Sequence, residues 1–431
     1  MTAIQALRGT KDILPTEIGY WQHVEATARQ VLGRAAFREI RTPIFEQTEL
    51  FARGIGEATD VVGKEMYTFT DRGDRSLTLR PEGTAGAVRA FVEHKLFAAG
   101  GPQRLWYCGP MFRYERPQAG RQRQFHQIGA ELLGSGDARA DVEAIAVAVE
   151  LLNCLGLKSL RMLLNSVGDR VDRATYRAQL VDYLTPYFAD LDPDSQDRLN
   201  RNPLRILDSK VAKTQEICRE APSILDALSP ESAARFAKVQ QALTDLGIAY
   251  QVDSRLVRGL DYYSHTAFEI QSDDLGAQAT VCGGGRYDGL VSELGGPETP
   301  AVGWAIGMER LILLLQQLQP LTGDRVDFYV VSRGEQAEQQ ALKVAQVLRQ
   351  GGFAVEMDLS ASAFGKQFKR ADRAGAAACV ILGDAEAENG TVQLKWLASG
   401  NQEAIAQTDL AAKAEQLRQQ ITQQIPQQIP Q

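Results

Sequence analysis

Between Gly109 and Glu131 the chain reads GPMFRYERPQAGRQRQFHQIGAE, with arginines at 113, 116, 121 and 123 around the turn-forming PQAG. The flanking runs suit antiparallel strands, in which alternate side chains share a face. Arg113 and Glu115 then share a face of the first strand, and Arg123, Phe125, Gln127, Gly129 and Glu131 share a face of the second. If the two faces coincide, a cation, an aromatic ring, an amide and carboxylates meet in one cavity. Such a set suits a nucleotide beside an amine: guanidinium forks for phosphate, a flat ring for a base, acceptors for ammonium. The alternative is the solvated face of an antiparallel sheet. Phe125 speaks against it by sitting in phase with the polar set, whereas Arg123 fits either solvent or ligand. His126 points the other way and reads as a structural histidine.

Three further arginines are candidates. Arg80, in LTLRPEGT, precedes a turn carrying Glu82 and Thr84, which suits an ammonium group or, equally, a helix cap. Arg258, in RGLDYY, stands beside Asp261, Tyr262 and Tyr263. Arg310, in GMERLILLL, falls in the first turn of an apolar helix, where the dipole disfavours a cation and backbone donors favour an anion, so a ligand is the better reason for it. No GxxxxGK[ST] occurs, and GGGRYDGL at 283–290 does not fit GxGxxG. Phosphate binding therefore rests on arginines and a metal that accompanies the phosphate.

The elements that must position these residues are legible from periodicity. Trp21, Val24, Ala28, Val31 and Leu32 recur at helical spacing, followed by REIRTPIFE as a strand broken at Pro43. SLTLRPEGTAGAVRAFVEHKL reads as strand, turn and helix; another helix is expected from about Ala140 to Leu155. Residues of about 167–250 turn polar and helix-like, which suggests an inserted helical module. Strands return in RGLDYYSHTAFEIQ and ATVCGGGRYDGL, and then AVGWAIGMERLILLL runs strand into helix. After a linker, QQLQPLTGDR, a fresh alternation of strands and helices marks a small separate α/β domain, ending in a glutamine-rich tail.

With 431 residues the chain exceeds what one core usually supports. Five scattered cysteines without a CxxC pair argue against a disulfide framework and a zinc site. No run is long and apolar enough to span a bilayer, and MTAIQALRGTKDILP lacks a signal-peptide layout, so a cytoplasmic protein without membrane association is expected. The net charge of −7 confines any nucleic-acid contact to a local surface.

These motifs together resemble the histidyl-tRNA synthetases, a class II aminoacyl-tRNA synthetase family. IRTPIFEQTELF is similar to the first class II motif, with Pro43 at a dimer interface; FRYERPQAGRQRQFHQIGAE to the second; AVGWAIGMERLILL to the third. LVRGLDYY and GGGRYDGL resemble the two histidine signatures, and RGTKDILP fits as well. The resemblance covers nearly the whole chain. It implies an α+β catalytic domain over 1–325, an antiparallel sheet flanked by helices, with the helical insertion at about 167–250. It further implies an α/β anticodon-binding domain over 326–431, a homodimer, and ATP-dependent attachment of L-histidine to histidine tRNA through a histidyl-adenylate.

For ATP, the resemblance assigns Arg113 to the α-phosphate, Phe125 to adenine, Arg121 to the triphosphate and Arg310 to the γ-phosphate. Glu115 falls to adenine or a Mg²⁺ that arrives with ATP; no tightly held protein metal is expected. For histidine, Glu82, Thr84 and Gln127 surround the α-ammonium, Gly83 belongs to the same histidine site, and Glu131 and Tyr263 take the two imidazole nitrogens. Tyr262, Tyr287, Gly284 and Gly285 shape the pocket. Arg258 lies against the carboxylate and α-phosphate, making it, with Arg113, the expected catalytic pair.

On the RNA side, Lys366, Lys369, Arg370 and Arg373 fall at i, i+3, i+4 and i+7, one stripe of a helix. Alone such a stripe is as often a solvated face; in an anticodon-binding domain it suits a tRNA backbone. Two related readings compete: a synthetase-like regulatory subunit of ATP phosphoribosyltransferase, and an RNA-binding sensor that keeps the fold without the chemistry. Arg113, Arg258, Arg310, both tyrosines and the C-terminal domain argue against the first; the retained arginines and the lack of extra domains argue against the second.

Overall fold

The computed structural model describes residues 3–56, 59–118, 120–274, 280–318 and 326–424. The chain separates into two compact units, Met1–Leu321 and Thr322–Gln431. Most of the expected linker (319–325) and the end of the glutamine-rich tail (425–431) lie outside the described residues.

In the first unit, helix Pro15–Arg34 starts with proline in its first turn, where a missing N–H is tolerated, and buries Trp21, Val24, Ala28, Val31 and Leu32. Among the described residues an eight-stranded sheet runs in the order Arg38–Glu39, Gln103–Phe112, Gln124–Leu133, Ala301–Gly307, Thr280–Arg286, Ser264–Ser272, Leu160–Ser166, Gln251–Val252. The six inner strands are antiparallel and the two-residue edges pair in parallel. One face packs Trp106, Ile128, Ala130, Leu132, Trp304 and Ile306 against that helix and against helices Ala138–Cys154 and Met308–Leu318.

The opposite face follows from register. Phe125 pairs with Met111, Gln127 with Gly109 and Glu131 with Leu105, so odd-numbered residues of both hairpin strands look the same way. The strands themselves stop at Phe112 and begin at Gln124, so Arg113, Glu115 and Arg121 project from the hairpin's extension rather than from the sheet.

Three expectations about elements are revised. The run REIRTPIFE divides into Arg38–Glu39 and Phe45–Gln47, which join different sheets on either side of Pro43. RGLDYY is loop, the strand beginning only at Ser264. The stretch 167–250 is not uniform: Tyr176, Leu180, Leu184, Leu199 and Ile206 build a separate core, whereas Phe236, Val239 and Leu243 of helix Pro230–Asp245 join the main one. That helix packs against helix Ala138–Cys154, a pairing that periodicity cannot assign.

Among its described residues the second unit holds a five-stranded sheet ordered Val355–Met357, Phe328–Ser332, Ala378–Leu382, Thr391–Trp396, Gln402–Ala406. The first three strands are parallel and the last two antiparallel. Helix Glu335–Gln350 covers one face and helix Phe364–Arg373 the other. The short helix Asp384–Asn389 and the last strand were not expected from the sequence; both are brief and carry weak periodicity.

Candidate active site

The odd-numbered face of the hairpin strands floors a cleft of about 1010 Å³, lined by Glu82, Thr84, Arg113, Glu115, Arg121, Phe125, Gln127, Arg258, Tyr262, Tyr263, Tyr287 and Arg310. Residues from distant segments converge there because the sheet places the hairpin beside the third-motif strand and that strand beside GGGR.

At one end stand the arginines. Arg113 Nε donates to the Pro81 carbonyl at 2.8 Å, and its Cζ lies 5.4 Å from the Phe125 ring centre. Arg121 Nε donates to Glu115 Oε2 at 2.9 Å. Arg310 Nη1 donates to the Thr280 carbonyl at 2.9 Å, and Gly120 of the hairpin turn packs on its side chain. Burial and the neighbouring Arg121 charge both pull the Arg310 pKa below its ordinary value. Two guanidinium groups brought together in a recess favour a polyanion between them. Glu65, which sequence reasoning missed, also lines this end; burial and the like charge of Glu115 raise its pKa.

At the other end the side chains are aromatic and hydroxylic. Glu131 is fully buried: Oε1 accepts from Thr84 Oγ1 at 2.8 Å and from the Tyr107 hydroxyl at 3.1 Å, and Oε2 accepts from the Tyr287 hydroxyl. Burial, above all, pushes its pKa up to about 8. Glu82 is buried as well and accepts from Thr84 N at 2.6 Å and Ala85 N at 2.7 Å, so it caps the helix Thr84–Glu93 while facing the cleft. Burial raises its pKa against the pull of those two N–H groups. Gln127 Oε1 and Arg258 Nε are buried without a hydrogen-bond partner among the described residues. The Tyr262 ring sits 4.7 Å from that of Tyr263 and 5.5 Å from that of Tyr287.

Several sequence assignments change place. Glu131 lies beneath the wall, behind Tyr287 and Thr84, rather than on the lining surface. Gly83 is likewise off the lining: a Cβ there would meet the ring of Tyr107, which lodges between Gly83 and Gly129. Gly284 faces the core, where a Cβ would strike Gly303 O and Trp304; strand alternation puts Gly283 and Gly285 on the cleft side instead. Gly285 lies under Tyr263, and Gly283 lies under Arg258. Arg80 leaves the candidate set, since its guanidinium is committed to Pro110 O, Thr42 O and Thr42 Oγ1. Arg123 is off the cleft lining, 3.9 Å over the Tyr114 ring and bonded to Glu115 O. His126 packs its ring on Trp21 and pairs Nδ1 with Glu309.

Two residues were missed although a signal existed. Tyr107 is in phase with Gly109 and Met111 on the strand Gln103–Phe112. Glu269 is a lone carboxylate in the strand Ser264–Ser272, lines the cleft, and accepts from Arg258 and from Thr280 Oγ1.

In the second unit Lys366, Lys369 and Arg373 are exposed on helix Phe364–Arg373. Arg370 is not equivalent to them: its Nε donates to the buried Asp358 at 2.7 Å, and it also bonds Ser360 and Ser362.

Comparison with known proteins bears on both units. Residues 9–311 match the family model described as histidyl-tRNA synthetase, and residues 327–417 match the model described as anticodon binding domain. A curated histidine–tRNA ligase of Gloeothece citriformis is 72% identical over 419 residues, 97% of each chain. One from Synechococcus elongatus is 70% identical over 418 residues, 97% of this chain and 96% of the other. Among solved structures, the apo histidyl-tRNA synthetase of S. aureus is 38% identical with a TM-score of 0.80, covering 96% of this chain and all of the other.

Proposed function

Because this chain belongs to the histidyl-tRNA synthetase family and joins L-histidine to tRNA with consumption of ATP, we propose a division of labour along its cleft. Arg113 takes the α-phosphate and Phe125 stacks on adenine. Arg121 and Arg310 take the β- and γ-phosphates, a reading carried by their mutual approach in a recess. Glu82, Thr84 and Gln127 receive the α-ammonium group, with the bare Gln127 carbonyl oxygen as its acceptor. Tyr262, Tyr263 and Tyr287 enclose the imidazole, with Glu131 and Tyr107 behind them, and Arg258 lies between the two ends.

The first step joins two anions. A histidine carboxylate oxygen attacks the α-phosphorus, the bond to the bridging oxygen breaks, and pyrophosphate leaves. The loose transition state spreads charge over the phosphoryl oxygens, which Arg113 and Arg258 stabilise without any change of protonation. In the second step a ribose hydroxyl at the tRNA 3′ end attacks the adenylate carbonyl and gives up its proton, and AMP departs with the electron pair of the broken anhydride bond, so that ester, AMP and a proton are the products.

Mg²⁺ belongs with the ATP in this reading. The ion prefers one or two carboxylates plus phosphate oxygens and water, so Glu115, which lines the cleft beside Arg121, would be its protein ligand. When bound it neutralises phosphate charge.

Selectivity follows from hydrogen bonding. Buried tyrosine hydroxyls that pair with imidazole nitrogens are left unpaired by other amino acids, which discriminates by factors of about 10⁴ or more; Glu131, already bonded to Thr84, Tyr107 and Tyr287, orients those hydroxyls from behind. Lys366, Lys369 and Arg373 contact the tRNA backbone, with Arg370 fixing the loop behind them. A homodimer forms through the Pro43 segment, whose neighbours Ile44 and Phe45 are exposed. No helix among the described residues is long and apolar enough to cross a membrane; a cytoplasmic protein is the corresponding proposal.

Histidine-dependent ATP–pyrophosphate exchange followed by charging of histidine tRNA tests this reading. Arg258→Ala is expected to slow adenylate formation sharply and to leave ATP binding less affected. Unchanged activation in that variant would remove Arg258 from its role.

A further inference from the structure

The loop that carries Arg258, Asp261, Tyr262 and Tyr263 is held from behind by the inserted helices. Arg173, on helix Arg170–Leu184, donates from Nη1 to the Asp261 carbonyl at 3.1 Å and to the Tyr263 carbonyl at 2.7 Å. Asn202 Nδ2 donates to Asp261 Oδ1 at 2.6 Å. From the opposite side Asp261 N donates to Ile55 O at 3.2 Å, and Gly56 leaves room for the Asp261 side chain. The loop is therefore clamped between the insertion and the end of helix Thr48–Ile55.

Arg173 is withdrawn from water, and that burial lowers its pKa. A guanidinium so placed is costly unless its donors are used. Here one nitrogen serves two carbonyls that flank Tyr262, the residue between them in the chain. Backbone carbonyls fix the course of a loop and not the rotamer of one side chain. Holding these two sets where the Tyr263 ring stands, 4.7 Å from Tyr262 and 5.9 Å from the Arg258 guanidinium carbon.

We propose that Arg173, assisted by Asn202, is a positioning residue for the amino-acid substrate: it fixes the Asp261–Tyr263 backbone so that the imidazole wall is formed before histidine arrives. The inference rests on the histidine end of the cleft assigned above. It makes the insertion part of amino-acid recognition, because two of its side chains supply the anchor. Preorganisation of this kind shows in the affinity for the substrate whose wall is held, since the loop need not be ordered at binding. ATP is assigned to the arginine end, away from both carbonyls.

The test is steady-state exchange with Arg173→Met, Arg173→Lys and Asn202→Ala in the full-length chain. Arg173→Met is expected to raise KM for histidine about 10-fold or more, since bonds from a charged donor are removed. KM for ATP should change by less than about 2-fold, as for a site with its own anchors. Arg173→Lys should recover much of the loss, because a single ammonium can replace a single nitrogen, and Asn202→Ala should shift KM for histidine in the same direction by less. Unchanged histidine KM in Arg173→Met, or equal rises for histidine and ATP, overturns the proposal. If Arg173→Met does not fold, the other two variants decide it: an unchanged histidine KM in Asn202→Ala overturns it. Absence of exchange in the wild-type protein would remove the histidine-site reading itself, whereas active wild type with a silent Arg173→Met removes this inference alone.

Discussion

The Arg258 guanidinium lies so close to the backbone of Gly283 that a Cβ on the glycine would run into Nη2, while Glu269 on the neighbouring strand accepts from Nη1. Gly283→Ala should therefore displace the charge without disturbing the sheet. We expect ATP–pyrophosphate exchange to fall about 10- to 100-fold, the scale of misplacing a catalytic group by about 1 Å. Gly284→Ala, one residue on, faces Gly303 O and Trp304 and should instead lower thermal stability, by about 1–3 kcal/mol as overpacking does. Equal effects of the two variants on activity would contradict the alternation.

Phe125→Ala should raise KM for ATP about 10-fold, the loss expected when an aromatic platform under a base is removed. KM for histidine should stay near the wild-type value. Competition by adenosine, measured in the same exchange assay, should weaken in parallel.

Burial raises the Glu131 pKa from 4.5 to about 8. The folded protein then binds a proton that the unfolded chain has released, so stability is greatest below pH 4.5 as far as this group is concerned and declines as pH rises towards 8. Glu131→Gln removes the titration. Thermal midpoints measured from about pH 6 to 9, the window around the raised value, should fall more steeply for wild type than for Glu131→Gln. Parallel curves would show that the carboxyl is ionised throughout.

Replacing Lys366, Lys369 and Arg373 by glutamine should raise KM for tRNA and flatten its dependence on salt, since fewer counterions are released when fewer phosphates are neutralised. Exchange without tRNA should be unaffected. Arg370→Gln is expected to behave differently: it unpairs the buried Asp358 and should lower the stability of the second unit.

Much of the cleft was legible because strand alternation is a local rule. Phe125 and Gln127 could be put on one face from spacing alone, and the register of the hairpin confirms it. The same rule, applied to GGGR, would have chosen Gly283 over Gly284, but the phase of that strand is set by its pairing with Glu269 and Ala305, which spacing does not contain. Arg80 and Arg123 look like ligand arginines in sequence. Only the carbonyls and ring that reach them from other segments commit them to structure.

Part of the inventory could be read from the chain alone: the hairpin with Phe125 and Gln127 on one face, the strand of AVGWAIG that feeds a helix, the motifs that mark the family. These depend on periodicity and on residue types within a few turns of one another. Folding, by contrast, chose which side chains meet across long separations. Glu131 collects hydroxyls from Thr84, Tyr107 and Tyr287, Arg258 is paired with Glu269, and Arg173 reaches the loop of Tyr263 from ninety residues away. A hydrogen bond or an ion pair has a range of a few ångströms in space and none along the chain, so its partners are named by the fold.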